Sequence, residues 1–301
     1  MKIATLIVTY NRLELLEKSI TMHISQTRRA DLILIVDNCS TDNTLDYLNT
    51  LERKYNNVKI LRLEDNTGGA GGFYAGLKYL RDHCLEIDWV WLMDDDAIPK
   101  ENALENILYG ELAKENIYGS LPQMNEKCAW PNRNHENKDL NFVSDFNDVE
   151  EVKWIPFLGF LISTQLITDI GLPEKDFFLA ADDVEYSLRA RKHGSKIFIK
   201  STSLIDHPCS ENYKIFIGFR YLSNLKLAPW KRYYDTRNRL LVARKHYGFK
   251  FYWQTLPATF LRLVSTLIYE DQKFKQFKAF LAGIYDGITN KTGKRHEFWD
   301  L

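Results

Sequence analysis

The sequence has few cysteines, no unbroken apolar stretch of membrane-spanning length, no internal repeat and no net charge, and each lack excludes a class of protein. Cys39, Cys84, Cys128 and Cys209 form no Cys-x-x-Cys pair, which reads as reduced thiols in a cytoplasmic protein rather than a disulfide frame or zinc site. Any metal would therefore be held by oxygen and nitrogen. The most apolar stretch, residues 251–269, is interrupted by Gln254, Pro257 and Arg262, short of the roughly 18 apolar residues that a membrane span needs. After Lys2 only the six-residue run Ile3–Val8 precedes Thr9-Tyr10-Asn11-Arg12, too few for the apolar region of a signal peptide, so the chain is expected in the cytoplasm. Forty Lys plus Arg against forty Asp plus Glu argues against a protein that coats nucleic acid. Neither a GxGxxG nor a GKS/GKT pattern occurs, which disfavours a dinucleotide-binding dehydrogenase or P-loop enzyme.

What remains is the composition of a compact globular chain of 301 residues, 45% hydrophobic and 13% aromatic, enough for one large or two smaller domains. Ile3-Ala4-Thr5-Leu6-Ile7-Val8, Leu32-Ile33-Leu34-Ile35-Val36 and Trp89-Val90-Trp91-Leu92-Met93 are continuous apolar runs, the mark of strands buried on both faces. Val58–Leu63 adds another strand. Between them Leu13, Leu16, Ile20 and Ile24, then Leu45, Leu48 and Leu51, and finally Leu77 and Leu80 recur at helical spacing. Strands alternating with helices imply an α/β fold with a mostly parallel, doubly wound sheet and ligands at the strands' carboxyl ends. Residues 123–150 are polar and rich in Asn, and read as a loop or insertion with little core of its own. Trp154–Ile162 resumes the buried pattern, a helix follows Asp182-Asp183-Val184-Glu185, and Lys196–Lys200 is a further strand ahead of Asp206-His207-Pro208.

Three consecutive acids, Asp94-Asp95-Asp96, stop the Trp89 strand. Their mutual repulsion is relieved by a divalent cation, and oxygen ligands suit magnesium or manganese. In an extended segment Asp94 and Asp96 face one side and would grip the ion together, leaving Asp95 to point inward or toward a sugar. A solvated acidic turn or helix cap is the competing reading. Asp182 and Asp183 open a helix, where the dipole favours carboxylates; capping explains one acid, and the other is placed to act as a general base. His207 is a metal-ligand candidate, although a lone His before Pro is by default structural. Asn66-Thr67-Gly68-Gly69-Ala70-Gly71-Gly72 opens another helix, either as a plain tight turn or as backbone that approaches a phosphate or sugar closely.

Taken in order, Thr9-Tyr10-Asn11-Arg12, Asp37-Asn38-Cys39-Ser40-Thr41-Asp42, Asn66–Phe73, Asp94–Asp96, Asp182–Glu185 and His207 resemble the family-2 glycosyltransferases of GT-A fold. The Asn66–Phe73 stretch is most similar to the bacterial galactofuranosyltransferases, with rhamnosyltransferases next. The resemblance implies an inverting transfer of a sugar, galactofuranose from UDP-galactofuranose before rhamnose from dTDP-rhamnose, to a hydroxyl of a glycan or lipid-linked glycan in cell-surface polysaccharide synthesis. It implies that Thr9, Tyr10, Arg12 and Asp37 hold the uridine, that Asn66, Gly69 and Asp95 also face the donor, and that Asp94, Asp96 and His207 ligate Mn2+ or Mg2+. Asp183 would be the base, with Asp182 orienting hydroxyls. Trp154, Phe157 and Gly159 would line the acceptor side, with core packing an equal alternative for the aromatics.

Residues 230–301 stand apart: fourteen Lys/Arg, six Asp/Glu and sixteen aromatics, net +8, so that residues 1–229 carry −8. The expected organisation is a GT-A domain at 1–229 and a helical, basic, aromatic region at 230–301. Its only match to related enzymes is Tyr233-Tyr234-Asp235-Thr236-Arg237-Asn238. Helices carrying Lys and Arg beside Phe, Tyr and Trp suit an anionic membrane surface, through residues 250–285 at the inner face of the plasma membrane. Packing of Phe274, Phe277, Leu281 and Ile284 on the catalytic domain, or a homo-oligomer, is the alternative. Two other classes compete: a sugar-nucleotide nucleotidyltransferase, which would want a Gly-, Arg- and Lys-rich loop where Thr9–Arg12 stands, and a non-catalytic carbohydrate-binding protein.

Overall fold

The computed structural model describes residues 1–216 and 221–301. The chain divides into two compact units, residues 1–175 with 183–209 and residues 176–182 with 210–301. The composition break at 229/230 is not where the units part. The hairpin ahead of it belongs with the helices that follow, because the Asn224 carboxamide donates to Ser265 and Thr266 at 3.0 Å.

The first unit opens with β1 (Ile3–Thr9), α1 (Leu13–Ile24), β2 (Leu32–Asp37), α2 (Thr44–Lys54), β3 (Val58–Arg62), α3 (Gly68–His83) and β4 (Trp89–Asp94). β3, β2, β1 and β4 lie side by side and parallel. Period-two alternation splits β1 between two cores. Ala4, Leu6 and Val8 face the layer that contains Phe73, Leu77 and Leu80 of α3, while Ile3 and Ile7 face Leu16 and Ile20 of α1. A sheet covered on both sides explains why these strands read as unbroken apolar runs.

The helix α3 rides unusually close to β1. A Cβ on Gly72 would lie 2.4 Å from Val8 Cγ1, and one on Gly76 2.3 Å from Leu6 Cδ1, so both positions need glycine for packing.

Beyond β4 come β5 (Ile98–Pro99), α4 (Ala103–Leu108), β6 (Ile117–Met124), β7 (Lys127–Arg133), β8 (Asp139–Phe142), β9 (Val149–Val152), β10 (Phe160–Ser163), α5 (Thr164–Ile170), α6 (Asp182–His193) and β11 (Ile197–Asp206). The sheet continues from β4 through β10, β6 and β11 to β5, with β10 antiparallel to both neighbours. Residues 123–150, expected as a loop with little core, are instead largely strand. Asn125 and Glu126 both adopt positive φ (52° and 64°) and join β6 to β7 as a two-residue hairpin of the kind that Asn favours. Cys128 and Leu140 are buried there. Some of the polar residues that suggested a loop are exposed, while Gln123, Asn132, Asn134 and Glu150 are buried. Within Trp154–Ile162 burial is as expected, but only its end forms a strand.

The second unit holds the antiparallel pair β12 (Asn212–Phe216) and β13 (Tyr221–Leu225), with α7 (Pro229–His246), α8 (Leu256–Tyr269) and α9 (Lys273–Ile288). α7 carries its polar residues inward: Arg232, Arg237 and Asn238 are fully buried. Arg232 pairs with Glu270 at 2.6 Å and donates to the Leu225 carbonyl. Asp235 is flanked by Arg239 (2.7 Å) and Arg262 (3.5 Å). Burial works against its ionisation, but these guanidinium groups bring its pKa down to about 2. α9 packs through Ala279, Phe280, Ala282 and Gly283, and leaves Phe274, Phe277 and Leu281 exposed. Among the described residues no helix is long and apolar enough to cross a membrane.

Candidate active site

Parallel register sets the site. Thr9 lies beside Asp37, and Val8 lies between Val36 and Asp94, so β1, β2 and β4 finish at one level. Asp95 and Asp96 follow directly. The tiny strand β5 then pairs Ile98 with Asp206 and Pro99 with Ile205. This two-residue pairing brings the residue after β11, His207, back to the acidic strand end.

The imidazole Nε2 of His207 stands 3.4 Å from Asp96 Oδ1. Its Nδ1 lies 2.8 Å from the Pro208 carbonyl oxygen, and since that oxygen only accepts, Nδ1 carries a proton. Nε2 is then the ring nitrogen turned toward the Asp96 carboxylate, an arrangement in which the two can share a cation. A backbone-anchored Nδ1–H is also how a metal-ligating histidine is held, and the separation suits two ligands each about 2.1 Å from one ion. The donor set therefore fits a divalent cation. Among the described residues, however, no group of three or more His, Cys, Asp or Glu gathers into a closed metal cluster. Asp96 and His207 meet, and Asp94 ends β4 beside them in sequence.

Arg12 holds the acids in place. Its Nη1 donates to Asp95 Oδ1 at 3.1 Å and Asp96 Oδ2 at 2.9 Å. Burial disfavours its charge, but the carboxylates of Asp95, Asp96 and Asp94 together raise its pKa. Asp95 is itself buried and accepts from Thr9 Oγ1 at 2.8 Å. Burial pushes its carboxyl above the usual value despite Arg12 and Thr9. At Asp96 burial also pushes upward, yet the hydrogen bond and charge of His207, with the charge of Arg12, carry it below the usual value. Arg12 thus binds acids here, where the resemblance gave it to the uridine. Thr9 likewise spends its hydroxyl on Asp95.

The end of β2 is as tightly laced. Asp37 is fully buried and accepts from the Ser40 N–H (2.9 Å) and from Arg62 (3.0 Å). Asn38 donates to the Gly68 carbonyl and accepts from the Thr67 backbone N–H. Asn11, at φ 52°, accepts from the Thr41 N–H at 2.7 Å. Tyr10 is exposed. Asn66 accepts from the Gly68 N–H at 2.9 Å, and Gly69 faces open space. The sequence pattern does not single out Arg62, and it marks Asn38 only as part of the Asp37–Asp42 stretch. Arg62 sits opposite Asp37 in the β2–β3 register, a cross-strand pairing visible only once the strands are aligned.

Asp182 and Asp183 are the first residues of α6. Asp182 closes the short segment that groups with the second unit, and Asp183 resumes the first. The Asp183 carboxylate accepts from the Val184 N–H at 2.7 Å. Ahead of the two acids, Phe178, Ala180 and Ala181 all have positive φ (64°, 68° and 64°). Trp154 is half-buried. Phe157 is a core residue instead of an open wall: its ring lies 4.7 Å from that of Phe73 and 5.0 Å from that of Phe160. Gly159, at φ +85°, has Ile205 and Ser120 within 2.7 Å of any Cβ, and its backbone links Leu92 to Ser120.

A mostly parallel sheet whose strand ends present an acid triplet beside a histidine is the arrangement that the resemblance to GT-A glycosyltransferases implies. The family described as "Glycosyl transferase family 2" matches residues 5–162, more than half of the chain, and the chain belongs to it. Over 250 residues, 79% of this chain and 81% of the other, it is 26% identical to the galactofuranosyltransferase GlfT1 of Mycolicibacterium smegmatis. Over 251 residues, 77% of this chain and 79% of the other, it is 26% identical to GlfT1 of Mycobacterium tuberculosis. Its fold is similar to that of GalNAc-T7, solved with UDP, GalNAc and Mn2+, at a TM-score of 0.62 and 15% identity, covering 96% of this chain and 57% of that one. The mannosyltransferase PcManGT of Pyrobaculum calidifontis, solved with GDP-Man and Mn2+, gives a TM-score of 0.59 at 12% identity, covering 96% and 88%.

Proposed function

We propose that this glycosyltransferase moves galactofuranose from UDP-galactofuranose to a hydroxyl of a glycan or lipid-linked glycan, with inversion at the anomeric carbon. The observation that carries the chemistry is the approach of His207 Nε2 to Asp96 at the end of β4. The donor rests on the galactofuranosyltransferases that align along most of both chains. Asp94, Asp96 and His207 would hold Mn2+ or Mg2+, which supplies charge neutralisation to the departing diphosphate. Asp183 takes the proton of the acceptor hydroxyl as its oxygen attacks the anomeric carbon. UDP leaves from the opposite face. Asp95, buried and tied to Thr9 and Arg12, keeps the acid turn in shape, and Tyr10 offers an open ring for the uracil to stack on. Trp154 faces the acceptor.

A panel of UDP-, dTDP- and GDP-sugars incubated with manganese tests the donor. Nucleotide release is expected from UDP-galactofuranose, is abolished by chelation, and falls at least about tenfold in His207→Ala, the loss expected when a ligand of the cation is removed. Release from dTDP-rhamnose alone would reassign the sugar, and full activity in chelator would remove the metal.

The second unit supports a further partner. Phe249, Tyr252, Trp253, Phe260, Ile268 and Phe274 are all exposed beside Lys250, Lys273 and Lys275, a combination suited to an anionic bilayer surface. The full chain is expected to float with vesicles containing phosphatidylglycerol, and the Trp253→Ser, Phe260→Ser double variant to remain at the bottom of the gradient. Equal flotation of both would reject the surface.

A further inference from the structure

The segment that leads into Asp182 and Asp183 is held in a conformation it would not adopt by itself. The Leu179 N–H bonds to the Phe177 carbonyl at 2.7 Å across Phe178, whose φ is 64°. This is a tight three-residue turn of the rare, strained hand. Ala180 and Ala181 follow, also left-handed, where a Cβ is disfavoured.

One side chain holds the carbonyls. The fully buried Asn238 carboxamide Nδ2 lies 3.0, 2.8 and 2.8 Å from the Phe177, Leu179 and Ala180 carbonyl oxygens and shares its two N–H donors among the three. Arg237 seats it, donating from Nε to Asn238 Oδ1 at 2.8 Å and from Nη2 to the Phe177 carbonyl at 2.7 Å. The Arg237 guanidinium lies over the rings of Tyr233 and Tyr234, 5.3 and 4.8 Å from their centroids, and Tyr234 stacks on Phe178 at 5.0 Å. Two of the polar residues that α7 carries inward, Arg237 and Asn238, thus converge on the carbonyls of residues 176–180. Strain kept at such expense marks a backbone whose exact course matters.

We propose that Asn238, seated by Arg237, is a positioning residue: it fixes the backbone of residues 177–181 and thereby the direction in which the chain delivers Asp182 and, one peptide bond later, the base Asp183. The proposal rests on the reading of Asp183 as base. No group on Asn238 meets substrate. Its effect passes through the main chain, and misplacing a reacting group by about an ångström can cost about a hundredfold.

The test is a double-mutant cycle read as nucleotide release from the donor found active in the panel. Asn238→Ala should lower kcat by about ten- to a hundredfold with donor KM within about twofold. In an Asp183→Asn background the same substitution should change kcat by less than about twofold, because the group it positions is gone. Equal losses in both backgrounds would make Asn238 merely structural and overturn the proposal. Full activity of Asp183→Asn alone would remove the base reading and this proposal with it, an outcome that the single variant reports separately. Asn238→Gln, which keeps the carboxamide but displaces it by a methylene, carries the same cycle where the alanine variant does not fold.

Discussion

Asp183→Asn is expected to cut turnover by about a hundred- to ten-thousandfold, the range seen when a positioned general base is lost. The substitution keeps the shape of the side chain and its capacity to accept the Val184 N–H at 2.7 Å, so the start of α6 should persist. Donor KM should stay within about twofold, because a base acts on the acceptor proton in the transition state and contributes little to ground-state donor binding. Asp182→Asn, next to it, should be milder, since its assigned role is orientation. Steady-state UDP release against donor concentration separates these outcomes. An Asp183→Asn enzyme with unaltered kcat would move the base elsewhere.

Arg232→Ala should be the most damaging change to folding. Its guanidinium is fully buried, bonded to Glu270 at 2.6 Å, the Leu225 carbonyl and Asn224, with Asp235 at 3.9 Å. Removing one member of a buried ion pair costs about 3–5 kcal/mol, because the remaining charge is stranded. Replacing both, as Arg232→Met with Glu270→Leu, should cost clearly less than the two single changes summed, since neither charge is then left alone. Urea denaturation followed by circular dichroism measures all three. A single variant within about 0.5 kcal/mol of the parent, the level of an ordinary surface change, would mean that water reaches this network.

Much of the first unit was legible in the sequence, and the reason is local. β1, β2 and β4 are buried on both faces, so every residue of each carries the same apolar signal. The acid triplet announces itself because nothing else in a strand ends that way. The meeting of His207 with Asp96 was expected only through a resemblance, because it is made by Ile98 and Pro99 pairing with the end of β11. Two residues are too few to show a period. The clasp of Arg62 on Asp37 depends on interstrand register, which spacing along one chain does not contain. Residues 123–150 misled because edge hairpins expose half their residues and look like loops when the other half is small or mixed.

The basic, aromatic region 230–301 is read only in part by its composition. A charge count treats every Lys and Arg as facing water. The second unit departs from this: Arg232, Arg237 and Asn238 of α7 are inside, while Phe249, Trp253, Phe260 and Phe274, all beyond α7, are outside. Part of the apparent surface charge is therefore internal architecture, spent on Glu270, Asp235 and the carbonyls of residues 177–180.

The contact of α3 with β1 bears on how firmly the glycine-rich turn can hold anything. With Gly72 and Gly76 set directly against the side chains of Val8 and Leu6, only the strand's own side chains separate helix from strand at those two points. Two touching points one turn apart fix its height and its tilt together. The backbone amides at the head of that helix are thus carried like the tip of a lever clamped along its shaft, and a single methyl group inserted under the clamp would swing them away from the ends of β1 and β4.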